Sequence, residues 1–408
     1  MEEMKVLMLG WELPPHNSGG LGVACLNLSK ALAKDGAEID FVVPYTAPAS
    51  EQTDFMNVIS ATKYKPEQKF GQEKFGVYNS RGYDKTVPKN TVTIRKVQKD
   101  YVKFIKKHLM DFKPDVIHAH DWLTFEAAVL AKKNYGVPLV AHVHATEFDR
   151  SGRCGGNKMV EEIERNGLLL ADKIIAVSSA TKQIIMDKYG IPAKKIDVIY
   201  NSLDEDFAKK TYKYDEEDYY YLEQMKERGY TIVSTVGRFT VQKGLKNFIK
   251  AAKLALSKNP KLIFVLAGDG EQKGELLELA ASYGVSKNVV FTGFVRGKQL
   301  RDIYELSDIF VMSSVSEPFG LTALEAAHHD DAIILTKQSG VYEVIHNVMS
   351  YDFWDIDKLT NAILALSDGS VLSRVLKQNM HAECENLSWD DIAKQVELIY
   401  NKLDKHKE

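Results

Sequence analysis

The sequence predicts an α/β protein with two domains, each built around a doubly wound parallel sheet. Three observations lead to this prediction. The chain has 408 residues, enough for two domains of roughly 100–200 residues each. Short apolar runs alternate with longer helical patterns, and this alternation starts again at residue 231. Because the short runs are continuously apolar, they are typical of strands that helices cover on both faces, as in a parallel sheet.

The first series of elements occupies the first half of the chain. A strand over 5–10 is followed by a glycine-containing loop and by a helix over 21–35. Further strands are predicted at 39–43, 116–119, 139–143, 173–177 and 197–200. Residues 45–93 fit the alternation poorly, and their many Lys, Gln and Gly residues predict a surface insertion with a hairpin. A lid over a ligand is the alternative for this insertion.

The second series begins with a strand over 231–236 and a helix over 245–257. Later strands are predicted at 262–267, 289–291, 309–312 and 332–335. Between the two series, residues 204–229 are rich in acids and tyrosines and predict a linker with a short helix, so the first domain ends near residue 203. Two such sheets in one chain usually bind a ligand between them, beyond the carboxyl ends of the strands.

Composition and charge argue against several classes of protein. The 53 Lys+Arg and 56 Asp+Glu residues give a formal charge of −3, which does not favour a nucleic-acid partner. Cys25, Cys154 and Cys384 are scattered without a CxxC pair, so their spacing predicts neither a disulfide framework nor a zinc site. The acidic start lacks the basic segment of a signal peptide, and no apolar run approaches the roughly 18 residues of a membrane span. We therefore expect a soluble cytoplasmic protein, and peripheral contact with a membrane is disfavoured.

Two glycine-containing loops follow predicted strands and suit the binding of an anion. In the first, Asn17–Gly22, glycines allow close backbone approach and the following helix offers amide donors at its N-terminus. Its spacing is not GxGxxG, and a simple tight turn explains it equally well. In the second, Gly237–Gly244, Arg238 and Lys243 can converge on a diphosphate, the guanidinium as a planar fork and the ammonium as a point charge.

The segment 316–326 is the most informative part of the sequence. Its proline fixes the entry to a helix predicted to begin near residue 319, and the glycine that follows permits close approach to a ligand. Leu321 and Glu325 then lie one turn apart on the same helix face, about 6 Å along the axis. This is the separation between a phosphate at the helix end and the ribose of the same nucleotide. Glu325 is therefore a candidate for binding ribose, and Glu317 for binding a sugar.

Three further patterns have simpler explanations than ligand binding. Asp355-Ile356-Asp357 has the letters of a metal-binding DxD motif but precedes a helical pattern, so an aspartate N-cap is favoured. Residues 328–331, His-His-Asp-Asp, are metal-ligand types, yet neighbouring residues on a helix point apart. Residues 95–107 place six cations on an amphipathic pattern, which favours a helix packed on the sheet over one lying on an anionic membrane.

Taken together, these motifs resemble the retaining glycosyltransferases of family 4. The resemblance rests on the EPFGLTALEA segment, on the GRFTVQKG loop and on the GGLG loop near the start. Further matches extend it over nearly the whole chain, at His118–Trp122, His144–Glu147, Val198–Asn201, Gly268–Gly270 and Ser388–Tyr400. The GGLG and HAHDW segments look closest to the glycogen and starch synthase-like branch.

This resemblance implies the GT-B fold, in which two Rossmann-like domains face a central cleft. The acceptor domain would comprise residues 1–203 and the nucleotide-sugar donor domain residues 204–387. Residues 388–408 would form a helix that returns to the first domain.

The resemblance also implies roles for individual residues. Arg238 and Lys243 would hold the diphosphate of the donor, and Glu325 would bind its ribose. Glu317 and His144 would contact the donor sugar and complete the catalytic set with the two cations. The other candidate positions on the donor side are Gly19, Gly20, Gly268, Phe319, Gly320 and Leu321, and those on the acceptor or sugar side are His120, Asp121 and Glu147.

The implied reaction moves a hexosyl group, with glucose the first expectation, from a nucleoside diphosphate sugar to a hydroxyl of a glycan acceptor with retention. The acceptor is an α-glucan in one version, as in glycogen synthesis, and a cell-surface polysaccharide or lipid-linked sugar in the alternative. A GT-B sugar-nucleotide epimerase, a glycosidase and a non-catalytic sugar sensor are less favoured. UDP-glucose or ADP-glucose is the expected donor, with no metal or other cofactor required. Asn17 stands where synthases of the branch have a lysine, so the nucleotide stays open.

Overall fold

The chain divides into two compact units. The computed structural model describes residues 4–14, 19–47, 52–64, 69–70, 73–74, 93–108, 113–153, 155–204, 207, 219–367, 371–384 and 386–404. The first unit comprises Met1–Phe148, Gly156–Asn201 and Ser388–Glu408, and the second unit comprises Asp149–Gly155 and Ser202–Leu387. Asn17 and Ser18 of the glycine loop, Cys154, most of the 45–93 insertion and part of the linker lie outside the described residues.

Strands and helices alternate along both units. The strands are β1 (Lys5–Leu9), β2 (Glu38–Val43), β3 (Asn57–Ser60), β4 (Lys69–Phe70), β5 (Glu73–Lys74), β6 (Val116–His120), β7 (Leu139–Val143), β8 (Lys173–Ala176), β9 (Ile196–Val198), β10 (Thr231–Val236), β11 (Leu262–Ala267), β12 (Val289–Gly293), β13 (Ile309–Met312), β14 (Ala332–Thr336) and β15 (Met349–Tyr351). The helices are α1 (Gly20–Lys34), α2 (Ile94–Lys107), α3 (Trp122–Tyr135), α4 (Glu147–Arg150), α5 (Lys158–Leu170), α6 (Ser179–Tyr189), α7 (Tyr220–Glu227), α8 (Leu245–Leu256), α9 (Lys273–Ser282), α10 (Lys298–Leu306), α11 (Leu321–His328), α12 (Ile356–Leu366), α13 (Val371–Cys384) and α14 (Trp389–Asp404). Among the described residues, none of these helices combines the length and the apolar character needed to cross a membrane.

The first unit contains a parallel sheet with the strand order β3-β2-β1-β6-β7-β8-β9. β6 and β7 are buried along their whole length, as expected for strands covered on both faces. From β1 the chain adds β2 and β3 on one side and β6 to β9 on the other, so the direction in which strands are added reverses between β1 and β6. In such a sheet ligands bind beyond the carboxyl ends of the two strands at this switch point. Gly19 and Gly20 at the start of α1, and His120 at the end of β6, lie there.

The second unit repeats this arrangement. Its parallel sheet has the order β12-β11-β10-β13-β14-β15, so the switch point lies between β10 and β13. Residues 237–244 follow β10, and residues 313–320 lie between β13 and α11. Because the two strands are parallel neighbours, these two loops leave the sheet at the same edge.

The two doubly wound parallel sheets confirm the predicted fold class. The prediction was wrong for part of the 45–93 insertion, because β3 pairs in parallel with β2 and extends the sheet instead of lying in a surface loop. A short antiparallel pair, β4 with β5, agrees with the predicted hairpin. The edge strand β15 was not predicted, since its three residues, Met-Ser-Tyr, are too few to give an apolar run.

Two amphipathic helices pack on the first unit. α14 lies against α1, where Lys34 Nζ is 2.5 Å from Asp390 Oδ2, and its Trp389 and Tyr400 belong to the hydrophobic core of this unit. α2 buries its apolar face, including Val97 and Tyr101, in the same core. The packing of α2 confirms that its apolar residues serve the protein interior.

Candidate active site

Apart from Gly19 and Gly20 of the first unit, the predicted donor-binding residues belong to the second unit, where loops pack closely at the switch point of the sheet. Gly244, with φ of 63°, follows the β10 loop, and a Cβ atom there would lie 2.1 Å from the carbonyl oxygen of Ser313. Gly268, with φ of 144°, follows β11, and a Cβ atom there would lie 1.9 Å from the carbonyl oxygen of Gly237. Any larger side chain would force the loops apart. Both glycines therefore fix the shape of this edge of the sheet.

Lys243 and Glu317 contact each other across these loops. Lys243 Nζ lies 2.6 Å from Glu317 Oε2, and the Ser314 hydroxyl donates to the same oxygen over 2.9 Å. The side chain of Glu317 is only 10% exposed and that of Lys243 24% exposed. A carboxylate this well buried needs its counter-charge, so the pair holds the two side chains in one geometry. The structure thus joins one residue predicted to bind the diphosphate with one predicted to bind the sugar.

Main-chain hydrogen bonds hold the segment that contains Glu317. The Glu317 N–H donates to the carbonyl of Gln338 over 3.0 Å, and the Gly340 N–H donates to the carbonyl of Glu317 over 2.8 Å. The Val341 N–H donates to the carbonyl of Phe319 over 2.7 Å, and the Phe319 ring is buried. The segment before α11 is therefore fixed along one edge by residues 338–341.

α11 begins at Leu321, two residues later than predicted. Gly320 is its N-cap residue with φ of 115°, a conformation outside the helical region, which delays the start of the helix. Because the N-cap residue has no side chain, no side-chain oxygen covers the first amides of the helix. These amides, with the positive end of the helix dipole, suit an anionic ligand.

Glu325 follows Leu321 by one turn of α11. Its Oε2 accepts a hydrogen bond from the Tyr304 hydroxyl of α10 over 2.8 Å. Burial is the main reason that the pKa of Glu325 is raised to about 7, although the Tyr304 hydrogen bond lowers it; Asp204 raises it and Arg301 lowers it to a smaller extent. Near neutral pH this carboxyl group is consequently divided between its protonated and ionised forms.

Arg238 lies two residues beyond β10 and is exposed. It belongs to the loop at the same edge of the sheet as the Lys243–Glu317 pair. The convergence of Arg238 and Lys243 on one diphosphate remains a prediction.

His120, Asp121 and His144 form one hydrogen-bonded group at the switch point of the first sheet. His120 Nδ1 lies 3.0 Å from His144 Nε2, and Asp121 Oδ1 accepts the main-chain N–H of His144 over 2.7 Å. Asp121 has φ of 58°, and its side chain does not cap the following helix α3. Burial lowers the pKa of His144 to about 3, so its ring is neutral at pH 7.

The remaining first-unit candidates lie on two different loops. Gly20 is the first residue of α1 and Gly19 is its N-cap residue, again without a side-chain cap. Glu147 Oε1 accepts the Asn157 N–H over 2.8 Å, while its own N–H donates to the carboxylate of Glu164 over 3.0 Å. These bonds tie Glu147 to the start of α5, and its role toward an acceptor remains a prediction.

Sequence reasoning missed a set of buried residues that surround the His120 group: Cys25, His118, His142 and Tyr400. The Tyr400 hydroxyl lies 2.5 Å from His118 Nδ1, and His118 Nε2 lies 3.1 Å from His142 Nδ1. Burial, with Asp121 and Glu12, raises the pKa of the Cys25 thiol. The two His-x-His patterns were a usable signal, because residues two apart in a strand share a face. Tyr304, the partner of Glu325, gave no comparable signal.

Comparisons with known proteins agree with this arrangement. The family model for Glycosyltransferase Family 4 matches residues 18–207, and that for Glycosyl transferases group 1 matches residues 223–382. An uncharacterized glycosyltransferase of Methanocaldococcus jannaschii is 29% identical over 97% of this chain and 98% of its own. Glycogen synthase of Mycobacterium tuberculosis is 27% identical over 97% of this chain and 94% of its own.

A solved structure has the same fold. Anabaena HepE in complex with UDP-glucose superimposes with a TM-score of 0.72 and 20% identity, over 98% of this chain and 100% of its own. At 20% identity this similarity is evidence for the fold and not for the function. The two family models, the relatives and the two parallel-sheet units lead to one conclusion: the chain belongs to glycosyltransferase family 4 and has the GT-B fold.

Proposed function

We propose that this glycosyltransferase moves a glucosyl group from a nucleoside diphosphate glucose to a hydroxyl of a glycan acceptor, with retention at the anomeric carbon. The relative named glycogen synthase and the fold neighbour solved with UDP-glucose support this proposal. UDP-glucose and ADP-glucose are the donors to test first, and an α-glucan is the first acceptor. The proposed reaction requires no metal ion.

The observation that carries the proposal is the shielded Lys243–Glu317 pair beside the start of α11. A cation, uncapped helix amides and a carboxylate one turn along the helix occupy one edge of one sheet. These groups match the parts of a nucleoside diphosphate sugar. The cation and the amides suit its anionic diphosphate, and the carboxylate suits the hydroxyls of the neighbouring ribose. In the proposed complex Lys243, Arg238 and the α11 amides bind the diphosphate, and Glu325 accepts hydrogen bonds from the ribose.

The difficult step is the departure of the nucleoside diphosphate. The bond between the anomeric carbon and the diphosphate oxygen breaks, and a bond to the acceptor oxygen forms on the same face of the sugar. The leaving phosphate oxygen takes the proton of the acceptor hydroxyl, so no separate base is required. Arg238, Lys243 and the helix amides stabilise the charge that develops on the diphosphate, and the ion pair with Glu317 holds Lys243 in place before the reaction starts.

The first experiment measures nucleotide binding. A ligand that binds the native state raises its apparent stability, so UDP, ADP and GDP are compared by the shift in melting temperature of the full chain. The expected result is a saturable shift with one diphosphate that is reduced in Lys243→Ala. Lys246→Ala is the matched control, because Lys246 lies three residues away and pairs with Glu275 on the exposed surface. Equal shifts in both variants would remove Lys243 from the donor site.

The second experiment measures transfer with the nucleotide that binds. Glycogen oligosaccharides are incubated with the corresponding radiolabelled NDP-glucose, and the configuration of the new linkage is read by NMR. An α-linked product supports retention, and a β-linked product contradicts it. Donor incubated without acceptor tests the epimerase alternative, which requires an epimerised sugar nucleotide as product.

One observation favours a second candidate acceptor, a lipid-linked sugar. Five lysines on α2 are exposed on the face opposite its buried apolar residues: Lys96, Lys99, Lys103, Lys106 and Lys107. Such a basic surface can contact an anionic lipid headgroup. Transfer to a polyprenyl-diphosphate sugar, with no transfer to glucan, would select this acceptor class.

A further inference from the structure

Four histidines share one face of the first sheet. His118 and His120 lie two residues apart on β6, His142 is on β7, and His144 follows that strand directly. His120 is the register partner of His142, so the four rings stack in a compact group with centroids 4.2–5.3 Å apart between neighbours. The sequence assigns His144 to the donor sugar and His120 to the acceptor or sugar side, and it gives His118 and His142 no role. Imidazole nitrogens are common metal ligands, so a group this dense is a candidate for metal binding.

The hydrogen bonds divide the four rings into two pairs. Both nitrogens of His118 are engaged, Nδ1 by Tyr400 and Nε2 by His142. In the other pair, His120 Nδ1 and His144 Nε2 face each other across 3.0 Å. Within the part of the chain that the structure describes, His120 Nε2 and His144 Nδ1 are buried and have no hydrogen-bond partner. Among the described residues, the side-chain hydrogen bonding of the second pair is therefore confined to the one contact between its own two rings, which is the only one that a metal ion between them would replace.

A thiol completes this second pair. Cys25 comes from α1, is fully buried, and places its Sγ within 4.8 Å of a ring nitrogen of His120 and of one of His144. A sulfur and two imidazole nitrogens are the ligand types that zinc prefers, at about 2.3 Å for sulfur and about 2.0–2.1 Å for nitrogen. In a tetrahedral site two such nitrogens lie about 3.3 Å apart, close to the separation between His120 Nδ1 and His144 Nε2. A tetrahedral site places the sulfur about 3.5 Å from each nitrogen, which is inside the 4.8 Å limit on the present separations.

We propose that Cys25, His120 and His144 form a binding site for a thiophilic transition cation such as Zn²⁺. On binding, the Cys25 thiol releases its proton to solvent. The ring that donates the hydrogen bond between His120 and His144 changes tautomer and carries its hydrogen on its other nitrogen, so that both facing nitrogens coordinate the metal and both rings stay neutral. The fourth position is left for water or an anion, as in zinc sites with three protein ligands. His144 is the least buried of the three residues, with 9% exposure, and provides the side from which the ion enters.

The surroundings favour a cation at this point. The carboxylates of Glu12 and Asp121 both act on the Cys25 thiol electrostatically. Their negative potential opposes a lone thiolate but favours a thiolate that is paired with a dication. Asp121 also accepts the main-chain N–H groups of His144 and Ala145, over 2.7 and 3.3 Å, which fixes the loop that carries His144.

A neighbouring set of ligands is less suited to the same ion. One nitrogen each of His118, His120 and His142 also lies within 4.8 Å of the others. Binding there would break the hydrogen bonds of His118 to Tyr400 and His142, and it would offer no sulfur. His120 belongs to both sets of ligands. Variants of the residues that the sets do not share, such as Cys25 and His118, distinguish the two sites experimentally.

Metal binding is tested with the untagged full-length chain after treatment with a chelator. Co²⁺ is added, and the expected result is one equivalent bound, with a thiolate-to-cobalt charge-transfer band and the strong visible absorption of tetrahedral cobalt. Excess Zn²⁺ should abolish both signals. Cys25→Ser should lose the charge-transfer band and bind Zn²⁺ about 10²-fold more weakly in a competition titration. Cys384→Ser removes the other described free cysteine, in α13, and should behave as the wild type.

Each remaining outcome decides the proposal. Loss of the charge-transfer band in His120→Gln, with circular dichroism unchanged, supports it. A band that survives in Cys25→Ser, or no tetrahedral cobalt spectrum at all, overturns it. Loss of metal binding in His118→Gln with full binding in Cys25→Ser assigns the ion to the histidine-only set and also overturns it.

A consequence for activity depends on the proposed function. Because His144 belongs to the proposed catalytic set, bound Zn²⁺ should inhibit transfer, and Cys25→Ser should be active but resistant to Zn²⁺. If the chain proves inactive with every donor, the cobalt experiment still decides whether the site exists.

Discussion

At the switch point of the first sheet the polar groups are four stacked imidazoles, a thiol, a tyrosine hydroxyl and the Asp121 carboxylate, all buried. At the switch point of the second sheet they are an ammonium, two carboxylates and an exposed guanidinium. The two sheets have the same order of strands around these points. Topology therefore determines where a site can form, while the residues at that point determine which charges it holds. The cations of the second unit suit an anionic nucleotide, and the imidazoles, thiol and carboxylate of the first unit suit a soft cation.

The strongest test of this difference removes positive charge from the second switch point. Lys243→Ala and Arg238→Ala should each lower kcat about 10²-fold or more, because each removes a fixed charge that stabilises the leaving diphosphate. Initial rates with saturating NDP-glucose measure the effect, and circular dichroism checks folding. Lys246→Ala should stay close to the wild-type rate, since its ion pair with Glu275 is exposed. Near-normal transfer in both Lys243→Ala and Arg238→Ala would contradict the electrostatic mechanism.

A smaller effect is expected from pH at Glu325. With its pKa raised to about 7, mainly by burial, this carboxyl group ionises as the pH rises through neutrality. In the proposed complex the ionised form accepts hydrogen bonds from the ribose more strongly than the protonated form does, so nucleotide affinity should rise about tenfold between about pH 6 and about pH 8. Calorimetric titration at several pH values measures this change.

Two variants isolate the contribution of Glu325. Glu325→Gln should remove the rise while retaining the titration of the nucleotide's own phosphate. Tyr304→Phe removes a hydrogen bond that favours the ionised carboxylate, so the midpoint should move to higher pH. An unchanged pH profile in Glu325→Gln would show that another group titrates.

The sequence indicated the candidate donor site of the second unit better than the buried histidine group of the first unit. Arg238, Lys243, Glu317 and Glu325 lie in short motifs directly after strands, where the edge of a parallel sheet collects loop residues. The contact between His118 and Tyr400 joins residues 282 positions apart, and only the packing of α14 on the first unit creates it. Cysteine spacing likewise argued against a zinc site, because the ligands proposed here come from three different elements. Local sequence patterns thus indicate sites made from residues close together in the chain. Sites made from distant residues depend on tertiary packing, which such patterns do not show.

The polar contacts of the first switch point should contribute to stability more than to nucleotide binding. Tyr400→Phe leaves His118 Nδ1 buried without its partner, which should lower the free energy of unfolding by about 1–3 kcal/mol. Tyr351→Phe is the control, because the Tyr351 hydroxyl is buried and has no hydrogen-bond partner among the described residues. Its loss should cost nothing or stabilise the chain. Urea unfolding measures both, and equal losses would show that the Tyr400 hydrogen bond contributes little.

The smallest effect concerns two aspartates that occupy N-cap positions in different units. Asp121 precedes α3 without capping it and binds the amides of His144 and Ala145 instead. Asp355 precedes α12 and accepts the Lys358 N–H over 3.0 Å, which confirms the N-cap predicted from the DxD-like pattern. Asp355→Ala should therefore cost about 1 kcal/mol of stability without changing nucleotide affinity, and Asp355→Ser should restore most of it, because serine also caps helices. A loss of nucleotide binding in both variants, at unchanged stability, would instead place this aspartate in the donor site and weaken the distinction between capping and ligand-binding acids.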